Sequence, residues 1–356
     1  MATVSHEYSF VIGVDTHSRS HTLAVLAAAT GELVDTACFP ATRAGVDRAV
    51  VWAGRRTGGD PSTLWAIEGV ATYGSGLART AAAAGRQVVE AARMSARDRR
   101  GTGKSDPLDA RRIAWTVLPL DVADLRRPRA DQGVRAALRV LMTARDQMTA
   151  ERTAHVNALV ALLRHADLGV DARQSPSRDL VKEISRWRDH HEDIAHTAAR
   201  REAVRLAKRI IALDEDLAAN HATITALLRD SPAGALLDEP GIGPVTAACA
   251  LIVWSHPGRV RSEAAFAALA GVNPIPASSG NTTRHRLNRG GDRRLNAALH
   301  MAVVSRMTHH PDTIAYTAKR TAEGRTTKEI RRCLKRYLAR HIHRTLNRCH
   351  TLPASA

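Results

Sequence analysis

The sequence is poor in cysteine and in aromatic residues. Its 356 residues include only four cysteines, Cys38, Cys249, Cys333 and Cys349, and no two of them form a C-x-x-C pair. This spacing argues against a disulfide framework and against a zinc ribbon, and it fits a reducing cytoplasm. Aromatic residues make up 3% of the chain and form no interleaved platform, which disfavours an RNA-stacking module.

The sequence also lacks an N-terminal signal region and an apolar run of membrane-spanning length, so we expect neither a secreted nor an integral membrane protein.

Acidic residues are fewer than basic residues. The chain contains 52 Lys and Arg and 35 Asp and Glu, which gives a formal net charge of +17. Residues 281–350 carry +13 of it, with 17 Lys and Arg against four acidic residues. This concentration favours nucleic acid as the partner over an anionic membrane or evenly solvated helix faces. We therefore expect a cytoplasmic, nucleoid-associated protein.

Short apolar runs near the N-terminus indicate a sheet. Three of them follow one another with turn residues between, which predicts three antiparallel strands, and an alternation of helices and strands follows. The predicted strands are residues 10–15, 22–27, 33–39, 64–68 and 86–91, and the predicted helices are residues 42–57 and 73–84. This order is typical of ribonuclease-H-like folds, so we predict an α/β domain of the ribonuclease-H/RuvC-like type over residues 1–128.

Four acidic residues stand where such a domain carries a catalytic centre. Asp15 and Glu68 each end a predicted strand, the place where functional groups cluster in open α/β sheets. Asp106 and Asp109 are spaced i and i+3 at the start of a predicted helix, so both carboxylates project from one face. Converging carboxylates suit phosphodiester cleavage with two metal ions, which predicts a Mg²⁺ (or Mn²⁺) site. Singly, Asp15 also fits a turn residue, Asp106 a helix cap and Asp109 a helix-dipole partner.

The middle of the chain has a long polar helical pattern. Residues 129–230 carry apolar and basic residues at helical spacing, interrupted around residues 169–176, which predicts an antiparallel helical hairpin or coiled-coil arm. Residues 231–356 predict a mostly α-helical C-terminal domain that closes with a basic helix at residues 327–348. The apolar stripe of that helix, which includes Leu338 and Tyr337, predicts a core or subunit interface.

Two glycines open the C-terminal domain. Gly241 and Gly243 alternate with Pro240, Ile242 and Pro244 between two helical stretches, which matches a helix-hairpin-helix. Glycines there let backbone N–H groups approach a phosphate. An ordinary glycine-containing turn between packed helices is the alternative.

A serine loop followed by arginines is the last candidate site. Ser278 and Ser279 precede Gly280, and a serine among guanidiniums suits attack on a phosphate. The chemistry alone favours a flexible loop beside DNA-contacting arginines. The arginines predicted to bind nucleic acid are Arg284, Arg286, Arg289, Arg293 and Arg294.

Together these motifs resemble the insertion-sequence family 110 transposases. The stretches Val14 to His17, Ile67-Glu68 and Ser105 to Ala110 are similar to the family's D-E-D-D set. The glycine hairpin, Ala270-Gly271 and Ser279-Gly280 are similar to its C-terminal transposase domain. The resemblance covers about residues 8–345, with the motifs in the family's order.

The resemblance implies site-specific DNA recombination by a RuvC-like domain and a serine nucleophile that forms a covalent phosphoserine link to DNA. Asp15, Glu68, Asp106 and Asp109 match the acidic tetrad. Ser279 matches the serine because it directly precedes the glycine, and Ser278 is the second choice. The implied partners are donor and target DNA, an element-encoded guide RNA and further copies of the chain in a dimer or tetramer, with no membrane.

Two other functions stay open at this point. A RuvC-like junction-resolving nuclease would use water as its nucleophile and leave no protein–DNA adduct. A non-catalytic nucleic-acid-binding protein would bind without any dependence on metal.

Overall fold

The computed structural model describes residues 2–91, 105–129, 132–171, 173–281 and 285–351. The chain forms two compact units, Met1–Asp131 and Gln132–Ala356. The boundary lies close to the predicted end of the first domain at residue 128. The predicted further division at residue 230 stays a prediction.

The N-terminal unit is built on a five-stranded mixed sheet of order β3-β2-β1-β4-β5. Strands β1, β2 and β3 pair antiparallel, and β4 and β5 extend the sheet in parallel from β1. Its strands are β1 Phe10–Thr16, β2 Ser20–Ala27, β3 Leu33–Pro40, β4 Thr63–Ile67 and β5 Gln87–Glu90, and its helices are α1 Val4–Glu7, α2 Arg43–Arg56, α3 Ser75–Ala83 and α4 Asp106–Val117. The predicted α/β order is confirmed, and the topology is compatible with a ribonuclease-H-like domain.

The two faces of the sheet are covered by different helices. Ile12 and Val14 of β1 belong to the core formed with α2 and α3, whereas Val11 belongs to the core that includes Ile113 of α4. Because side chains alternate along a strand, Gly13 and Asp15 lie on the same face as Val11, towards α4. Position 15 is therefore directed to the face on which α4 packs.

Gly13 sets the distance between β1 and α4. A Cβ atom at this position would lie 2.1 Å from the carbonyl oxygen of Ala110 and 2.6 Å from the nitrogen of Ala114, which are separations that no real side chain adopts. The missing side chain thus lets the backbone of α4 lie directly on β1. The start of the helix, at Asp106, is brought close to the end of the strand.

The second unit begins with a pair of long helices, α5 Gly133–His165 and α7 Ile194–Arg229, with the short α6 Arg178–Ile184 between them. Leu138 packs in one core with Leu228, and Leu163 packs in another with Leu206. The start of one helix therefore lies beside the end of the other, and the predicted antiparallel hairpin is present. Its description as a coiled coil stays a prediction.

The remaining elements complete the second unit around one core. They are α8 Pro244–Trp254, α9 Glu263–Leu269, β6 Ile275–Pro276, β7 His285–Arg286, α10 Arg293–His309, α11 Pro311–Ala322 and α12 Thr327–Thr351. Leu338, Ile342 and Leu346 of α12 are buried in that core, whereas Tyr337 is exposed, so most of the predicted apolar stripe of α12 is core. In the described ranges, no helix combines the length and apolar character needed to cross a membrane.

The glycine segment before α8 is followed by a regular helix but is not directly preceded by one. Gly243 is the N-cap of α8, but the residues before Gly241 form only a three-residue 3-10 helix, Gly234–Leu236. Gly241 has φ +77°, and a Cβ there would lie 2.8 Å from the Ala302 carbonyl oxygen of α10. Close packing against α10 therefore accounts for this glycine, and the helix-hairpin-helix and its phosphate contacts stay predictions.

Candidate active site

Asp15 is the centre of an acidic group at the end of β1. It is 7% exposed, and its strand lies between β2 and β4, the two central neighbours in the sheet. The burial follows from the apolar run before it, which places β1 in the middle of the sheet. A carboxylate in this position needs a compensating partner, because burial of an unpaired charge is costly.

His17 and Asp106 are brought to Asp15 from two directions. The His17 Nε2 atom lies 3.1 Å from Asp15 Oδ2 and 3.7 Å from Asp106 Oδ1. One ligand atom from each of the three residues lies within 4.8 Å of the others. His17 reaches this position because the chain turns directly after β1, where the His17 N–H donates to the Ser20 carbonyl oxygen at 2.9 Å. Two carboxylates and an imidazole therefore converge where the sequence predicted an acidic centre.

Asp109 lies one turn further along α4. Its Oδ1 accepts a hydrogen bond from Arg112 at 3.2 Å, and the two side chains are 18% and 15% exposed. The spacing i, i+3 predicted a shared face with Asp106. In this structure the Asp109 carboxylate has a cationic partner of its own on the same helix.

Glu68 follows β4 directly, beside Asp15 in the sheet. Val14 of β1 is paired in register with Ile67 of β4, and the Glu68 N–H donates to the Val14 carbonyl oxygen at 3.0 Å. The Thr16 hydroxyl donates to the Glu68 carbonyl oxygen at 2.9 Å. The backbone at Glu68 is therefore fixed next to the end of β1. Its side chain is exposed and stands outside the group formed by Asp15, His17 and Asp106.

The electrostatics of this group favour a bound cation. Burial raises the pKa of Asp15, the His17 imidazole opposes that rise, and the negative charges of Asp106 and Asp109 add to it. A carboxylate whose pKa is raised by neighbouring carboxylates is stabilised in its charged form when positive charge is placed beside it.

His17 was quoted in the sequence motif but was given no role there. Its signal was its place two residues after Asp15, at the end of the strand.

The serine candidates lie in the loop between β6 and β7. These two short strands pair antiparallel, with Ile275 opposite Arg286. Ser278 and Ser279 are both exposed, and Gly280 has φ +54°. Glycine adopts this left-handed conformation readily, so the loop can turn directly after the serines.

The predicted arginines differ in their surroundings. Arg286, Arg289 and Arg293 are exposed, whereas the guanidinium of Arg294 forms an ion pair with Asp146 of α5. Arg284 lies outside the described residues. Three of the five predicted arginines are thus exposed on or near the hairpin that carries the serines.

The comparisons with known proteins agree with this arrangement. The α/β domain with Asp15 at the end of its first strand is compatible with a ribonuclease-H-like domain. Residues 12–166 match the family model of IS110-type DEDD transposases, described as "Transposase", and residues 233–318 match the model described as "Transposase IS116/IS110/IS902 family". The chain therefore belongs to the IS110 family of transposases, and the resemblance stated from the sequence is confirmed.

One curated relative is also similar. The insertion element IS110 uncharacterized 43.6 kDa protein of Streptomyces coelicolor is 32% identical over 123 residues. The aligned stretch covers 34% of this chain and 30% of the relative, so the chain aligns with less than a third of the relative's length.

Proposed function

We propose that this protein is a transposase that cuts and rejoins DNA strands of a mobile element, with its acidic centre at Asp15, Glu68, Asp106 and Asp109. The observation that carries the proposal is the meeting of Asp15, His17 and Asp106 within one family-matched domain. Asp15 and Asp106 come from a strand and a helix far apart in the sequence. Carboxylates that repel one another are found preferentially at functional sites.

The donor set fits a hard divalent cation, Mg²⁺ or Mn²⁺. Carboxylate oxygens are the protein ligands that both ions accept, and an imidazole nitrogen suits the later first-row metals better than Mg²⁺. Asp15 and Asp106 would hold the ion, with Glu68 and Asp109 beside them. When bound, the cation supplies positive charge that stabilises the developing charge on the phosphate and on the leaving oxygen. His17 orients the Asp15 carboxylate through its 3.1 Å contact.

Ser279 is the proposed nucleophile, with Ser278 as the second choice. In the strand-transfer step the serine Oγ forms a bond to phosphorus, and the bond from phosphorus to one sugar oxygen breaks. The serine proton passes to a base, and the leaving sugar oxygen takes up a proton. Attack by the hydroxyl of a second DNA strand reverses the step and frees the serine, so the number of phosphodiester bonds is conserved. The exposure of both serines supports this role.

The partners proposed for the whole protein are donor and target DNA, an element-encoded guide RNA and further copies of the chain in a dimer or tetramer. The charge of +13 in residues 281–350 supports a polyanionic partner. The finer choices of RNA and subunit number rest on the family alone.

Single substitutions test the two catalytic elements separately. We expect Asp15→Asn to lower the rate of strand transfer by about 10³-fold or more, the scale seen when one group of a catalytic set is removed. The exposed Asp47→Asn in α2 is the matched control and should keep the wild-type rate. The readout is the recombinant product together with the thermal shift of the protein on addition of Mn²⁺, which Asp15→Asn should reduce and Asp47→Asn should retain.

Detection of the covalent protein–DNA intermediate identifies the nucleophile. Wild-type protein should form an SDS-stable complex with labelled DNA, Ser279→Ala should abolish it, and Ser278→Ala should retain it. If the Ser279→Ala protein recombines DNA fully and the Ser278→Ala protein does not, Ser278 is the nucleophile. Hydrolysed ends without any adduct would instead identify a nuclease that uses water.

A further inference from the structure

A basic cleft lies beside the hairpin that carries the serine loop. It has a volume of about 520 Å³ and is lined by β7, by the residues before β6, and by α11 and α12. This volume falls within the roughly 300–1,000 Å³ of ligand pockets. The sequence motifs did not predict it, because its walls come from three separate segments.

The walls of the cleft are strongly cationic. Six Lys and Arg side chains line it, and Glu329 is the one carboxylate among its described lining residues. The six are Arg286, Arg320, Arg325, Arg332, Lys335 and Arg336. Burial and the neighbouring Arg332 charge hold the pKa of Lys335 below its usual range. Cations that repel one another in this way are stabilised when an anion enters.

Apolar residues also line the cleft. Val272, Leu287 and Ile330 contribute aliphatic side chains, and Cys333 is a further lining residue. Apolar and cationic side chains together suit a nucleotide, whose base can contact apolar groups and whose phosphate pairs with guanidinium or ammonium groups. A volume of about 520 Å³ is that of a small-ligand pocket, which suits a short stretch of an unpaired strand better than a duplex.

The cleft and the serine loop share one structural element. Arg286 and Leu287 line the cleft, while β6 and β7 hold the loop with Ser279. The segment before the hairpin is held by α10 and α12, because the Lys335 Nζ donates to Asn296 Oδ1 at 2.5 Å and Asn296 donates to the Ala270 carbonyl oxygen at 2.7 Å. A cationic lining residue is thus connected through one asparagine to Ala270, five residues before β6.

We propose that this cleft binds the phosphodiester backbone of a single nucleic-acid strand and so holds it beside the serine hairpin. The placement beside Ser279 rests on the proposed function, whereas strand binding itself does not. DNA and RNA share the chemistry that the cleft recognises, so the test includes both.

Protection of Cys333 from alkylation tests occupancy directly. We expect a single-stranded 12-mer to slow the reaction of Cys333 with N-ethylmaleimide at least about fivefold at low salt, where phosphate contacts are strongest. The exposed Cys38 in the N-terminal unit is the internal control and should react at an unchanged rate. Burial raises the pKa of Cys249 to about 12, so this thiol should stay unreactive throughout. Equal protection of Cys38 and Cys333, or protection of neither, would overturn the proposal.

Charge removal tests the walls. The double variant Arg332→Gln/Arg336→Gln should weaken single-strand binding on the order of tenfold and reduce the slope of log K against log salt by about 1 to 2. Lys319→Gln/Lys328→Gln removes the same charge from exposed positions outside the cleft and should change both quantities much less. Far-ultraviolet circular dichroism checks that both proteins are folded. Equal losses in the two variants contradict a local site.

A comparison of three ligands shows which form of nucleic acid the cleft binds. Single-stranded DNA and RNA of one sequence are compared with duplex DNA, and protection of Cys333 by either single strand supports the proposal. Protection by the duplex alone contradicts it. Because no strand transfer is needed, the measurement can be made in Ser279→Ala protein. If Cys333 is protected but the wild-type protein forms no covalent adduct, the cleft binds a strand and the proposed serine mechanism is wrong.

Discussion

The N-terminal unit and the basic segment of the second unit contain equal numbers of basic residues but differ in their acidic residues. Residues 1–131 contain 17 Lys and Arg against 14 acidic residues, whereas residues 281–350 contain 17 against four. The first region keeps enough carboxylates to build a concentrated negative group at Asp15, and the second keeps a net charge of +13. A cation site and a polyanion site require opposite local fields, and placing them in separate units lets one chain provide both.

The two regions also differ in what holds their sites together. Asp15 and Asp106 meet because the backbone of α4 lies on β1 at Gly13, with no side chain between. The basic cleft is lined instead by long side chains at the ends of helices and on a two-residue strand pair. The first site should therefore respond sharply to small changes in volume, and the second to changes in charge and hydrogen bonding.

The largest effect is expected at Gly13. Gly13→Ala should destabilise the N-terminal unit by about 3 kcal/mol, because the new methyl group meets backbone atoms of α4 that cannot move alone. Gly54→Ala in α2 is the matched control, since a Cβ there has no atom within 4 Å, and it should stabilise by about 0.5–1 kcal/mol. Hydrogen exchange of peptides from β1 and α4 measures both. Equal protection in the two variants would contradict the close-packing argument.

An intermediate effect is expected at Asn296. Asn296→Ala removes the acceptor of Lys335 and the donor to Ala270, which should cost about 1–2 kcal/mol and speed proteolysis within residues 271–291. Asn281→Ala, at an exposed position of the serine loop, should change neither. Limited trypsin digestion followed by mass spectrometry is the measurement. Unchanged cleavage in Asn296→Ala would show that the hairpin is held by other contacts.

The smallest effect is expected in the helical pair. Arg152 of α5 donates to Asp214 of α7 at 2.5 Å, and these side chains are 38% and 20% exposed. Because solvent screens the pair, Arg152→Ala should cost only about 0.5–1 kcal/mol. Arg173→Ala, which breaks the largely exposed pair with Asp171, should not change stability measurably. Urea unfolding followed by far-ultraviolet circular dichroism compares the two variants, and a large loss in Arg152→Ala would show that the pair is more strongly coupled to its surroundings.

Much of the N-terminal unit was predictable because its signals are local. The continuous apolar run of β1 predicts a central strand that is buried on both faces, so the place of Asp15 at the end of the strand followed from the sequence. The spacing of Asp106 and Asp109 likewise fixed their common helix face. His17 received no role because its contact depends on a turn, and the meeting of β1 with α4 depends on a glycine whose partner lies far along the chain.

The second unit was harder to predict for a physical reason. The seven residues of α9 are too few to show a helical period, and the cleft combines β7 with α11 and α12, which no spacing rule connects. Residues such as Asn296 and Lys335 become informative only when the distance between them is known. The basic charge of this region was visible in the sequence, but its concentration around one cleft was not.

The contact between Gly13 and α4 also bears on how the chain matures during synthesis. Asp15 is made early, and Asp106 is added 91 residues later, so the acidic group cannot exist on a nascent chain until α4 has been translated and has settled on the sheet. A gene copy whose reading frame stops before codon 106 loses the group completely, however intact its strands are. Docking of α4 on the sheet is thus the step that brings the two carboxylates together.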